Sequence, residues 1–163
     1  MRKVNRVFIA LICIITIAAT NDLQAQVKAK KHLPKELKKV IFGQQMDKIL
    51  KIRPNALSSS STEDFRHVYI EEVDKNGIAN IVYYFDAKLP GKPLYEIIVV
   101  FQSTAERDSA SEKLLGTPNY KNEEWKVDIK ADYPLHAWTY QSKLIFVYPI
   151  RGSEWNEKGV IGL

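Results

Sequence analysis

Cysteine is nearly missing from this chain of 163 residues: the one thiol is Cys13, inside an apolar run near the N-terminus. One cysteine closes no intrachain disulfide, so the fold must be held by packing alone. Histidine is scarce too. His32, His67 and His136 lie far apart, and none belongs to a metal-ligand spacing. No glycine-rich phosphate loop is present. The serine run Ser58 to Ser61 lacks the flanking glycines of a nucleophile elbow and reads as a linker. The acidic pairs Glu63-Asp64, Glu71-Glu72 and Glu123-Glu124 are adjacent residues. On a strand, neighbours point to opposite faces, so none is a ready carboxylate dyad. Nothing in these absences favours catalysis, and no cofactor or metal is expected.

Long hydrophobic runs are also lacking. The longest, Val7 to Ala19, spans 13 residues broken only by Thr16, whereas crossing a hydrocarbon core takes about 20. Arg2, Lys3 and Arg6 precede it, and Asn21-Asp22-Leu23-Gln24-Ala25 follows, ending on a small residue. This is the charged, apolar and polar order of a secretory signal peptide, with cleavage expected near Ala25. Ile12 precedes Cys13 within the apolar stretch, so the cysteine is not placed for lipid attachment. The Leu-Gln-Ala-Gln end resembles signals of Gram-negative bacteria and implies a periplasmic or outer-surface location.

Cleavage leaves 138 residues, one ordinary domain. Removing Arg2, Lys3, Arg6 and Asp22 from the whole-chain charge of +5 leaves +3, too mild to argue for nucleic acid. The excess gathers in a basic leader, residues 26–41, with Lys28, Lys30, Lys31, Lys35, Lys38 and Lys39. Such a run reads as solvated, and Lys28, Lys30 and Lys31 suggest at most weak, salt-sensitive contact with an anionic membrane surface.

Residues 42–150 carry the periodic pattern. Met46, Ile49, Leu50 and Arg53 recur at helical spacing before Pro54. Asn55 to Thr62 reads as a loop. Phe65–Val73 and Ile78–Phe85 flank Asn76-Gly77, a strong hairpin signal, and Leu94–Phe101 is an apolar, β-branched run suited to a central strand. Ser103-Thr104-Ala105-Glu106 has capping-box spacing, and Gly116 with Pro118 closes the helix it opens. Strands are expected at Glu124–Lys130, Leu135–Gln141 and Lys143–Ile150, followed by a tail, residues 151–163, without a clear period. The expected fold class is therefore α+β: about six antiparallel strands and two main helices in αβββ–αβββ order, with halves 42–101 and 102–150 suggesting an internal duplication.

The pattern Gly43, Met46, Ile49-Leu50 and Pro54-Asn55, and again Ala110, Leu114-Leu115-Gly116 and Pro118, resembles the helix-to-strand signature of two related groups. These are the beta-lactamase-inhibitor-protein-like fold and the small outer-membrane assembly lipoproteins. The resemblance implies a short helical layer on one face of an antiparallel sheet, and a non-enzymatic protein-binding or envelope role. The chain departs in lacking a lipidated cysteine and the inhibitor's disulfides.

Aromatic side chains fall on both faces of the expected strands. His67 and Tyr69 share a face in one strand, and His136, Trp138 and Tyr140 share a face in another. A sheet capped by helices on one side needs a single apolar face. These five residues are therefore the candidate contacts for a protein or peptide partner. The leading expectation is an exported binding module. The alternatives are a hydrolase without a recognisable signature and a structural, homodimeric envelope protein.

Overall fold

The computed structural model describes residues 30–60, 63–127 and 134–156. The expected signal peptide, its cleavage point near Ala25, Lys28, and residues 128–133 and 157–163 lie outside the described residues.

A 3-10 turn, Lys35–Leu37, leads into helix α1, Met46–Ile52. Four strands follow: β1 (Leu57–Ser59), β2 (Arg66–Lys75), β3 (Ile78–Asp86) and β4 (Leu94–Phe101). Helix α2 (Thr104–Leu115) precedes β5 (Glu124–Val127), β6 (Leu135–Tyr140) and β7 (Lys143–Val147). Among the described residues, all seven strands form one antiparallel sheet in the order β1-β2-β3-β4-β7-β6-β5.

The expected αβββ–αβββ arrangement of about six strands is thus corrected to α–ββββ–α–βββ with seven, and the two halves are not equivalent. The additional strand is β1, where Leu57, Ser58 and Ser59 pair with Ile70, Tyr69 and Val68. Serine-rich sequence concealed it because ladder pairing uses backbone amides and carbonyls, which every residue but proline supplies in full. The Pro-Asn punctuation after each helix also leads to different structures. Asn55 precedes the short β1, whereas the Asn119 side chain pairs with the backbone of Lys126.

Local chemistry explains the sharpest boundaries. Asn76 and Gly77 both take positive φ, 55° and 75°, as the hairpin turn between right-twisted strands requires. A Cβ on Gly77 would also lie 2.7 Å from Glu106 Oε1, so a side chain there would displace the Glu106 carboxylate from its place at the cap. Ser103 Oγ accepts the Glu106 amide at 3.2 Å, and its hydroxyl donates to the Glu106 carboxylate at the same distance. The carboxylate thus closes on the cap hydroxyl. Ser103→Ala is expected to cost about 1 kcal/mol of stability, measurable as a lowered denaturation midpoint. An unchanged midpoint would mean that α2 does not depend on this cap.

One face of the sheet carries the core. Ile81, Tyr83 and Phe85 of β3, Ile97, Val99 and Phe101 of β4, and Leu144 and Phe146 of β7 are buried there together with Ile49 of α1. Ala110, Leu114 and Leu115 of α2 pack on the same cluster. The basic leader joins it as well. Leu33, Leu37, Val40 and Phe42 are buried, while Lys31, Lys35, Lys38 and Lys39 between them stay exposed. The lysines are solvated, and the residues interleaved with them are core. Beneath this layer Glu71 Oε2 accepts from Arg53 Nε at 2.7 Å and from the Tyr83 hydroxyl at 2.8 Å. Arg53 also donates to the Glu36 carbonyl at 2.8 Å, which ties the end of α1 and the 3-10 turn to the sheet. Burial pushes the Tyr83 hydroxyl's pKa upward, so it stays a donor.

Candidate sheet-face interface

The opposite face of the sheet is built by the same registers. Directly paired residues on antiparallel strands share a face. Following those pairs gives one transverse row, Leu57–Ile70–Val82–Ile98–Ile145–Trp138, before Glu124 at the β5 edge. Six apolar side chains from six successive strands therefore line up across roughly 24 Å, five interstrand steps of about 4.8 Å. Leu57 is 71% exposed and Ile70 38%; Val82, Ile98 and Trp138 are half-buried, and Ile145 is buried. No described helix covers this row. Beside it runs a mixed row, Glu72, Asn80, Val100, Lys143 and Tyr140, with Tyr140 59% exposed.

The segment after β7 folds back over the other flank. Trp155 stacks edge-on against Trp138 with ring centroids 5.6 Å apart, and its indole N–H donates to Glu96 Oε2 at 3.0 Å. Tyr95 donates its hydroxyl to Glu154 at 2.8 Å, and Arg66 lies 3.7 Å from the other Glu154 oxygen. Arg66 also sits over the Tyr84 ring, 5.0 Å from its centroid, and pairs with Glu63. Burial, only partly offset by the indole hydrogen bond, lifts the pKa of Glu96 to about 7. Glu154 and Trp155 were not singled out by sequence reasoning. The signal available was a lone carboxylate, Glu96, inside an otherwise apolar central strand.

The five candidate residues divide between the two faces. His136, Trp138 and Tyr140 share the open face, but His136 is buried. Its pKa falls to about 4, through burial first and then the nearby Lys126 and Lys121. Its Nε2 has no hydrogen-bond partner, and Nδ1 lies 4.0 Å from the Glu124 carboxylate. The Tyr120 ring stands edge-on to it at 5.4 Å. His67 and Tyr69 pair with Phe85 and Tyr83 and so belong to the core side, where Tyr69 meets Phe85 edge-on at 5.8 Å. The structure therefore brings Trp138 and Tyr140 together and places Tyr69 and His67 behind them. The ring that joins Trp138 is Trp155. Phe146 of β7 and Tyr148, just past its end, belong to the core.

Among the described residues, hollows flank the sheet at two places. One, of about 570 Å³, is lined by Asn55, Leu57, Ser58, Ser59, Ile70 and Glu72. The other, of about 230 Å³, lies among Phe65, Asp86, Lys88, Gly152 and Glu154. Neither is lined by histidine. Among the described residues no three His, Cys, Asp or Glu side chains gather as metal ligands do, and no helix is long and apolar enough to cross a membrane. What the geometry offers is a sheet face away from the helices, exposed at Leu57, Ile70 and Tyr140 and covered by the Trp155 segment toward Glu96. Comparison with family models, with curated proteins and with solved structures finds no match to this chain.

Proposed function

We propose that the protein is an exported binding module that takes a protein or peptide partner on the open face of its sheet. The observation that carries this reading is the apolar row from Leu57 to Trp138, which no described helix covers. A sheet with helices on one side solvates its other face with polar side chains; an extended apolar patch on that face marks an interaction site. Trp138, backed by Trp155, and the exposed Tyr140 supply aromatic surface with polar handles, the side chains over-represented among energetic anchors. Export to the periplasm or outer surface belongs to the same proposal and rests on the N-terminal pattern ending at Ala25. Lys30 and Lys31, with Lys28, add at most a weak attraction to anionic lipid.

The test uses Tyr140→Ala, because a side chain this exposed contributes little to the fold. With a partner captured from the native envelope, the variant is expected to bind about 30-fold more weakly, the equivalent of about 2 kcal/mol for an anchor. Its circular dichroism and melting should match the unaltered protein. Trp138→Ala is expected to lose at least as much affinity, with a small loss of stability from the missing Trp155 contact. Unchanged binding by Tyr140→Ala would remove the open face from the account.

A further inference from the structure

The two edges of the sheet are finished differently. At the β5 edge the Asn119 side chain accepts from the Lys126 amide at 2.8 Å and donates to its carbonyl at 3.0 Å. The Tyr120 and Glu124 backbones exchange hydrogen bonds of 3.0 and 2.9 Å. The outer backbone groups of β5 are therefore occupied, as proteins commonly protect an edge against further pairing. At the β1 edge nothing comparable is found. Among the described residues, no hydrogen bond reaches the outer side of Leu57–Ser59. The strand is only three residues long, itself a limit on pairing, but it carries no proline, charge or bulge, and Leu57 is 71% exposed. Beside it lies the hollow of about 570 Å³. Glu72, exposed at that hollow and two residues along β2 from Ile70, makes no ion pair among the described residues.

We propose that the β1 edge accepts an extended segment of a partner protein as an eighth strand, carrying an apolar side chain beside Leu57 and a lysine or arginine two residues away, facing Glu72. An added strand pairs its own amides and carbonyls with the free edge, which is how extended peptides join open sheets. Its alternate side chains fall on one face. One of them continues the Leu57–Ile70 row by a further step, and the next on that face comes level with Asn55 and Glu72. There a cation meets an uncompensated carboxylate, so charge selects both the segment and its register. This rests on the reading of the protein as a binding module and adds a second, backbone-reading element to it.

The experiment uses the exported protein and a threonine-rich octapeptide with Lys-Thr-Val at its centre. Companion peptides carry Glu-Thr-Val, or N-methyl groups on alternate amides. Amide hydrogen exchange and chemical shifts are followed along the chain. The Lys peptide is expected to slow exchange at residues 57–59. The N-methylated peptide should bind at least tenfold more weakly, and Glu72→Lys should reverse the preference to the Glu peptide. Leu57→Asp should abolish binding while the melting temperature stays put, because the side chain is exposed. Shifts confined to the Trp138 and Tyr140 face, or no exchange of preference in Glu72→Lys, would overturn the proposal. So would self-association through β1 that Leu57→Asp dissolves, since a second copy would then own the edge. The readout at residues 57–59 needs no native partner, so the edge can fail while the Trp138 and Tyr140 reading stands, and the reverse.

Discussion

Replacing Glu71 by alanine is expected to lower the unfolding free energy by roughly 3–5 kcal/mol, the usual cost of leaving one half of a buried ion pair uncompensated. Both the Arg53 guanidinium and the Tyr83 hydroxyl point at Glu71 Oε2, and the two side chains of the ion pair are 17% and 9% exposed. Without the carboxylate the Tyr83 hydroxyl loses its acceptor, and the Arg53 cation keeps only the Glu36 carbonyl. Arg53 would be free to swing outward, releasing its bond to the Glu36 carbonyl. The loss should therefore fall on the helical layer, with faster amide exchange in α1 and the 3-10 turn than in β3 and β4. Chemical denaturation at neutral pH measures the total. Replacing all three partners, as Arg53→Met, Glu71→Leu and Tyr83→Phe together, should recover most of it, because the desolvation penalties disappear with the charges. A cost below about 1 kcal/mol for Glu71→Ala would place the pair with exposed salt bridges.

Two buried titratable groups on the open face should hide one another's effect on stability. Glu96 has its folded pKa raised from 4.5 to about 7. Its stabilising contribution is fully present below pH 4.5 and is lost as pH rises through about 7, a loss of roughly 3 kcal/mol. His136 has its folded pKa lowered from 6.5 to about 4. Its contribution is fully present above pH 6.5 and is lost as pH falls through about 4. Between pH 4.5 and 6.5 the two slopes oppose and nearly cancel. Glu96→Gln keeps an acceptor for the Trp155 indole and removes one slope, so stability should climb with pH over this window. His136→Gln removes the other, and stability should fall with pH. Denaturation midpoints of both variants at half-unit pH steps check this. Parallel profiles for the two variants would contradict the buried placement of both groups.

How much of this was legible in the sequence depends on whether a feature was local. The Asn76-Gly77 turn and the Ser103 cap follow from backbone preferences a few residues long, and both are found where the chain spells them. The β1 strand was not legible, because its pairing with Val68–Ile70 is set across the sheet by registers that serines do not announce. The leader is mixed: its lysines are exposed, whereas Leu33, Leu37 and Val40, which recur among them at i, i+4 and i+7, are buried in the core. Arg53 stood in the apolar stripe of α1, and its partner Glu71 lies 18 residues on in another element. Such long-range pairs leave no periodic trace. For the candidate site, Trp138 and Tyr140 were legible as alternating aromatics. Trp155 was not, because it comes from a segment with no period and meets Trp138 only after the chain folds back. Tyr69 and His67 look equivalent to Trp138 in alternation alone. Which face the helical layer covers is decided by the sheet order.

Under the proposed function, partners meet the face of the sheet that carries Tyr140. A photo-reactive phenylalanine analogue placed at Tyr140, and separately at the exposed Lys113 of α2 on the helical side, tests this in the native cell. A discrete cross-linked product is expected from position 140 and none from position 113. Equal products from both positions, or a product from position 113 alone, would contradict it.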